Sequence, residues 1–350
     1  MSKSYRNVPL ASVSPGMVIE SAYYLVEASE KTTRGGKPYC DLTIRDKTGL
    51  RIAKYWNAFE GFSSCSYVFI KGHVGEYGGA AQIVAKEIIN VSEDEIDIDD
   101  FMMVVDGIEE YKNTFKDYSS QLTNPTIKAL FNTIFSDKFK ESFFEAPASE
   151  GSRYGAAGGA LMQSCRVACA AEQMAYSYDL EKSRKELLIA ASFIANSGKV
   201  FSYELKDHIP MITIKGSLYG DPAMAYNKII LAIIRLKQDP SQAKELAGIE
   251  KEEDWTLNDD IIIQLTHLVL SSRSGSLDPA SKGERMSSVL PQTFESLILS
   301  QCFLSDDRAA LAFDSIKSSE LGNSDPNDPF TPYDFGTKRR YLKPNFLSSK

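Results

Sequence analysis

The chain has 350 residues, 43% hydrophobic and 25% charged, which is the balance of a globular protein with room for two or three domains. No apolar run approaches the roughly 18–20 residues of a membrane span, and the opening Met1-Ser-Lys-Ser-Tyr-Arg lacks the apolar stretch of a secretory signal. The net charge of −8 is uneven: residues 1–91 carry 11 Lys and Arg against 8 Asp and Glu, a net of +3, so the remainder carries −11. Any polyanion is therefore expected to meet the N-terminal part. Five cysteines (Cys40, Cys65, Cys165, Cys169, Cys302), an odd number with no CxxC, fit a reducing intracellular compartment.

Residues 8–91 read as strands. Val18–Glu27 is β-rich and runs into a polar tip, Lys31–Lys37. Tyr39–Arg45 alternates with period two, with Cys40, Leu42 and Ile44 on one face and Tyr39, Thr43 and Arg45 on the other. Asp46-Lys-Thr-Gly is a tight turn, Leu50–Trp56 a third strand, Tyr67–Val74 a fourth and Ala81–Ile89 a fifth. Five strands in about 85 residues, with a long first strand and a Gly-rich loop after it, suggest a small Greek-key barrel of the OB type. Ser92–Asp100 is an acidic linker. From Phe101 the period turns helical, predicting helices near 101–121, 125–144, 158–178, 181–197, 222–237, 258–272 and 291–317, with surface loops at 238–254 and 274–286. The tail from Gly322 is extended, interleaving prolines and aromatics with Lys338-Arg-Arg.

The barrel offers a basic and aromatic face of the kind on which single-stranded nucleic acid stacks and pairs its phosphates. Its candidates are Lys31, Arg34 and Lys37 in the first loop, Tyr39 and Arg45 on the second strand, and Arg51, Lys54 and Tyr55 on the third. Trp56, at a strand end, reads equally as a stacking ring or as core. The alternative for such a barrel is to dock protein or its own helical domain. In the tail, Lys338-Arg-Arg-Tyr reads either as a phosphate contact or as a docking segment that buries its rings. Cys165 and Cys169, i and i+4 on one helix, read as small core residues, and Tyr154–Ala160 follows no strand, so its glycines do not form a dinucleotide loop.

Several segments, in shared order and spacing, resemble one family. They are Arg34-Gly-Gly-Lys-Pro-Tyr, Leu42-Thr-Ile-Arg-Asp-Lys-Thr-Gly, Ala53-Lys-Tyr-Trp, Ile70-Lys-Gly-His-Val, Ala146-Pro-Ala, Gly158-Gly-Ala-Leu, Glu186-Leu-Leu-Ile-Ala-Ala, Gly198-Lys, His267-Leu-Val-Leu-Ser and Leu290-Pro-Gln-Thr-Phe-Glu-Ser. The resemblance is to the YhaM family, bacterial 3′–5′ exoribonucleases with an OB-fold followed by an HD domain, over about residues 8–345. It implies clustered imidazoles and carboxylates that hold divalent metal, which activates water and clamps phosphate. Carried over, that ligand set is missing. The family's His-His falls on Arg153 and Tyr154, its Glu-His on Gln163, its His-Asp on Ala195 and Asn196, a later His on Asp221, and another His-His on Ser272 and Arg273. Of three histidines, His73, His208 and His267, only His267 stands at a family position. Arg153 and Arg273 read either as fixed cations that bind phosphate or as partners of Asp221 or Asp306.

The expectation is thus a multidomain α and β chain: a five-stranded OB-fold barrel at 1–91, a linker at 92–100, an all-α HD-like helical domain at 101–321 and an extended tail at 322–350. Its function is expected to be non-catalytic binding of single-stranded RNA or DNA, in the cytoplasm of a bacterial or phage-infected cell, as a homo-oligomer, with no membrane and no cofactor. The alternatives are a structural or assembly protein, and a divergent metal-dependent exonuclease with a rebuilt site of Asp221, Asp306 and Asp307.

Overall fold

Alternation of apolar and polar residues closes the first strands into a barrel. A computed structural model describes residues 5–33, 35–58, 61–77, 80–150, 153–206, 209–249, 255–273, 289–320, 328–333 and 338–344. The chain forms two units, Met1–Met103 with Ala312–Lys350, and Val104–Leu311.

In the first unit, β1 (Val18–Thr32), β2 (Pro38–Asp46), β3 (Gly49–Tyr55), β4 (Ser66–Tyr77) and β5 (Ala80–Asn90) form a closed barrel in the order β1-β2-β3-β5-β4. Every junction is antiparallel except β3 with β5, which pair in parallel at Lys54–Val84 and Tyr55–Ala85. This is the connectivity of an OB-fold. Cys40, Leu42 and Ile44 point inward, where they meet Ile19, Tyr23, Leu25, Ala53, Val68, Ile70 and Ile83. The register shifts between Lys71 and Gly72, where β5 carries Lys86 as an extra residue, a bulge in β5. A Cβ at Gly72 would lie 2.1 Å from the Val84 carbonyl oxygen, so only glycine lets the two strands approach there.

Residues 92–103 lie against this barrel. Ser92 and Glu95 form a capping box, Ile96 and Phe101 are buried, and the Phe101 ring packs edge-on against Tyr67 at 5.1 Å. Lys47 pairs with Asp100 at 3.0 Å. In the tail, Phe330 and Leu342 form an antiparallel bridge, and Arg340 donates to the Thr331 carbonyl at 2.8 Å and pairs with Asp328.

The second unit is helical: α1 (Ile108–Gln121), α2 (Pro125–Ile134), α3 (Asp137–Glu145), α4 (Gly159–Ser177), α5 (Lys182–Ser197), α6 (Lys199–Ser202), α7 (Ile214–Tyr219), α8 (Asp221–Gln238), α9 (Pro240–Ala247), α10 (Asp259–Ser271) and the first part of α11 (Phe294–Glu320). A short hairpin, β6 (Tyr203–Lys206) with β7 (Ile209–Ile212), is added to the helices. α5 is buried from Glu186 to Ser197. Its Glu186 carboxylate accepts from the Thr123 and Asn124 backbone N–H groups at 2.9 and 2.7 Å, just ahead of α2. Phe115, Phe131, Phe135 and Phe143 form an aromatic cluster with Phe193 of α5.

Three boundaries differ from the sequence reading. The first helix starts at Ile108, because Gly107 turns the chain at φ +68°. The expected helix over 125–144 breaks at Ser136. The stretch 238–254, expected as loop, contains α9: Asp239 caps it by accepting from Gln242 N–H, Pro240 opens it, and Gly248 closes it at φ +74°. The expected loop at 274–286 lies outside the described residues. Among the described residues no helix is long and apolar enough to cross a membrane.

Candidate functional site

Among the described residues two places gather polar chemistry, one in each unit. On the barrel, strand alternation sets which side chains face out. The register pairs Lys31 with Tyr39 and Ser29 with Asp41 across β1 and β2, and Asp41 with Lys54 across β2 and β3. Lys31, Tyr39, Asp41, Lys54 and Trp56 therefore share the outer wall. The Tyr39 and Trp56 rings lie 5.2 Å apart at 34°, and the Lys54 ammonium sits 5.0 Å over the Tyr39 ring. Trp56 is 54% exposed. Asp41 lies between two cations, 2.8 Å from Lys31 and paired with Lys54. Partial burial works against its charge, but the hydrogen bonds from Lys31 and Lys54 outweigh burial and hold its pKa below the usual carboxylate value.

Other expected contacts fall elsewhere. Lys37 is exposed, and Arg34 lies outside the described residues. Arg45 and Arg51, expected on the exposed face, are each only 5% exposed. Arg45 stands among Tyr24, Tyr67 and Asp46, and burial lowers its pKa despite them. Arg51 is an odd-numbered residue of β3, so it points inward with Ala53 and Tyr55, near Tyr23 and Asp46. Tyr55 packs against the barrel core, its ring edge-on to Phe62 at 5.6 Å. The expected set mixed both faces of β3. Continuing the alternation Leu50, Ile52, Lys54 one step further selects Trp56, whose ring is exposed.

The second place is a buried polar centre in the helical unit. Asn196 on α5 is fully buried and donates to Ser164 Oγ at 3.0 Å and Gln163 Oε1 at 3.2 Å. Arg273, just past α10, donates to Asn196 Oδ1 at 2.6 Å, Gln163 Oε1 at 3.2 Å and Asp307 Oδ2 at 3.3 Å. It also lies 3.6 Å from Asp221, and its guanidinium rests 4.1 Å above the Phe303 ring. Gln163 donates to the other Asp307 oxygen at 2.6 Å. Lys199 pairs with Asp221 at 3.1 Å. Burial opposes the Asp221 charge, but Lys199 and then Arg273 hold its pKa below the ordinary value; burial itself lowers Lys199. Tyr154 donates to Asp306 at 2.6 Å. Burial raises the Asp306 pKa, against the Tyr154 bond and with the Asp307 charge.

Ala195 and Ser272 are buried beside this centre, and Arg153 is half-buried in a short turn over Arg153–Gly155. The structure thus brings Gln163, Asn196, Asp221 and Arg273 together, with Arg273 paired to Asp307 and Asp221. An open cleft of ≈ 600 Å³ adjoins the centre, lined among others by Lys199, Tyr203, Asp221, Ser272, Arg273 and Asp307. His267 accepts from the Gln292 N–H at 3.0 Å through Nε2, so that nitrogen is already engaged. His208 lies outside the described residues. Cys165 is buried as expected, whereas Cys169 is exposed.

Comparison with curated proteins gives a consistent kinship. The chain is 26% identical over 257 residues to the 3′-5′ exoribonuclease YhaM of Bacillus subtilis (strain 168), covering 71% of this chain and 74% of that protein. It is 27% identical over 266 residues to the YhaM of Halalkalibacterium halodurans, covering 74% and 76%. With the YhaM of Listeria innocua it is 23% identical over 333 residues, 93% of this chain and 95% of that one. This chain is homologous to YhaM 3′-5′ exoribonucleases. No family model matches it. Among solved structures, the second OB-fold domain of replication protein A from Methanococcus maripaludis is similar to 25% of this chain and 96% of its own, at 19% identity and a TM-score of 0.22.

The kinship corrects one expectation. The relatives are 3′-5′ exoribonucleases, the kind of enzyme for which the resemblance implies divalent metal, so the expectation of no cofactor does not stand. The donors of the polar centre do not fit one. Asn196 and Gln163 offer amide oxygens, and both they and the Asp307 and Asp221 carboxylates already face Arg273 or Lys199. Among the described residues no group of three or more His, Cys, Asp or Glu is arranged to hold a metal ion.

Proposed function

We propose that this protein binds single-stranded nucleic acid on the outer wall of its barrel and is an exoribonuclease-like protein whose helical unit does not cleave the strand. The carrying observation is the Tyr39–Trp56 ring pair flanked by Lys54 and Lys31. Two adjoining aromatic faces give a platform for successive bases, and the ammonium groups beside them meet the phosphates. The homology to exoribonucleases supports a nucleic-acid partner. The non-cleaving part rests on the polar centre, where a guanidinium, which cannot activate water, is bonded to Gln163 and Asn196, at positions where the resemblance puts metal ligands. A cytoplasmic location and self-association accompany this reading as proposals.

The kinship favours a second reading, hydrolysis at the ≈ 600 Å³ cleft of the helical unit. One experiment separates the two. A labelled single strand is titrated with the full chain in Mn²⁺ buffer, and both mobility and strand length are followed. Binding without shortening supports the first reading. Shortening from the 3′ end that Asp307→Asn abolishes supports the second, and absence of any binding removes both.

A further inference from the structure

Four side-chain oxygens from four helices converge on one positive charge. Asn196 Oδ1 from α5, Gln163 Oε1 from α4 and Asp307 Oδ2 from α11 accept from Arg273, and Asp221 Oδ2 from α8 lies 3.6 Å from its Nε. We propose that the Arg273 guanidinium is the resident cation of the helical unit, seated where these oxygens would otherwise gather a divalent metal ion.

Three observations carry this. First, the oxygens are held from behind. Asn196 donates its amide to Ser164 and Gln163, and Gln163 donates its amide to Asp307, so the acceptor oxygens are left facing Arg273. Second, the charges balance: Lys199 and Arg273 meet Asp221 and Asp307, so loss of Arg273 strands a carboxylate in a mostly buried place. Third, the shape fits. A planar fork with five N–H donors reaches several oxygens at once while its carbon sits 4.1 Å over the Phe303 ring, and a lysine ammonium has only three donors at one point. With Arg273 removed, two carboxylates and two amide oxygens remain beside an open cleft, a set of hard oxygen donors suited to Mg²⁺ or Mn²⁺. This role is independent of what the barrel binds.

Thermal unfolding of the full chain, with and without millimolar MnCl₂, tests it. The unaltered chain keeps its Tm when Mn²⁺ is added. Arg273→Met lowers Tm by roughly 10 °C, the loss of one partner from a buried ion-pair network in a unit of this size, and Mn²⁺ recovers part of the fall. Arg273→Met with Asp307→Asn, which removes a charge of each sign, unfolds closer to the unaltered chain and responds less to Mn²⁺. If Arg273→Met is insoluble, the double variant decides: solubility supports the proposal and insolubility overturns it. An Arg273→Met chain with unchanged Tm, or one that Mn²⁺ fails to rescue, overturns it. So does a Tm rise with Mn²⁺ in the unaltered chain that Asp307→Asn abolishes.

Discussion

Asp41 places a negative charge in the middle of a surface proposed to take a polyanion. Its carboxylate neutralises both Lys31 and Lys54, and it stays ionised at neutral pH because those ammonium groups outweigh its partial burial. A phosphate entering this surface must compete with Asp41 for the same two cations. Asp41→Asn frees them, and single-strand binding is expected to tighten roughly threefold at low salt, with a steeper salt dependence, in a fluorescence-anisotropy titration. Weaker binding in this variant would mean that Asp41 holds the lysines in the geometry the strand needs. Arg45 and Arg51, by contrast, are nearly as buried as the core around them, so their value is to the barrel wall. Their charge suggested a surface role in the sequence. The Tyr24 and Tyr67 rings beside Arg45, and the Phe101 ring against Tyr67, become adjacent only once the barrel closes and residues 92–103 fold against it.

At the scale of elements, period-two alternation made the five strands legible, and turn chemistry marked their ends. What it did not settle was which face of β3 is outward, because Arg51 and Lys54 carry like charge on opposite faces. In the helical unit, long apolar periods located α4, α5, α8 and α10. α9 was missed because its eight residues sit among polar ones, although Asp239, Pro240 and Gly248 are start and stop signals. The polar centre was legible as a set of altered positions. That Arg273 is bonded to Asn196 and Gln163 was not, since those contacts span 77 and 110 residues of sequence. The junction of α5 with α8 offers a test of packing. A Cβ at Gly198 would come 2.1 Å from the Asp221 carbonyl oxygen and 3.0 Å from the Ala225 nitrogen. These are backbone atoms that cannot swing away. Gly198→Ala is therefore expected to cost about 1–3 kcal/mol, read as a lower urea midpoint with an unchanged slope. An unaltered midpoint would show that the two helices are not held as close as described.

For the whole molecule, charge and acid response follow from these parts. Asp221 has a folded pKa depressed below its ordinary value because Lys199 and Arg273 outweigh burial. A carboxylate shifted down contributes stability that is fully present above its unfolded value of about 3.9 and is lost as pH falls through the folded value. Stability measured by urea at stepped pH is expected to lose this contribution only below about pH 4, and Asp221→Asn to flatten that acid limb. A limb that is equally steep in the variant would place the acid sensitivity elsewhere. The N-terminal 91 residues carry +3 and the rest of the chain −11, so long-range attraction of a polyanion favours the barrel. The decisive measurement is the affinity of the full chain for a labelled single-stranded oligonucleotide at two salt concentrations, compared with Tyr39→Ala and Trp56→Ala. The account predicts binding that weakens as salt rises and a loss of roughly 1–3 kcal/mol for each ring removed. Affinity untouched by both substitutions, or no binding at either salt, would contradict it.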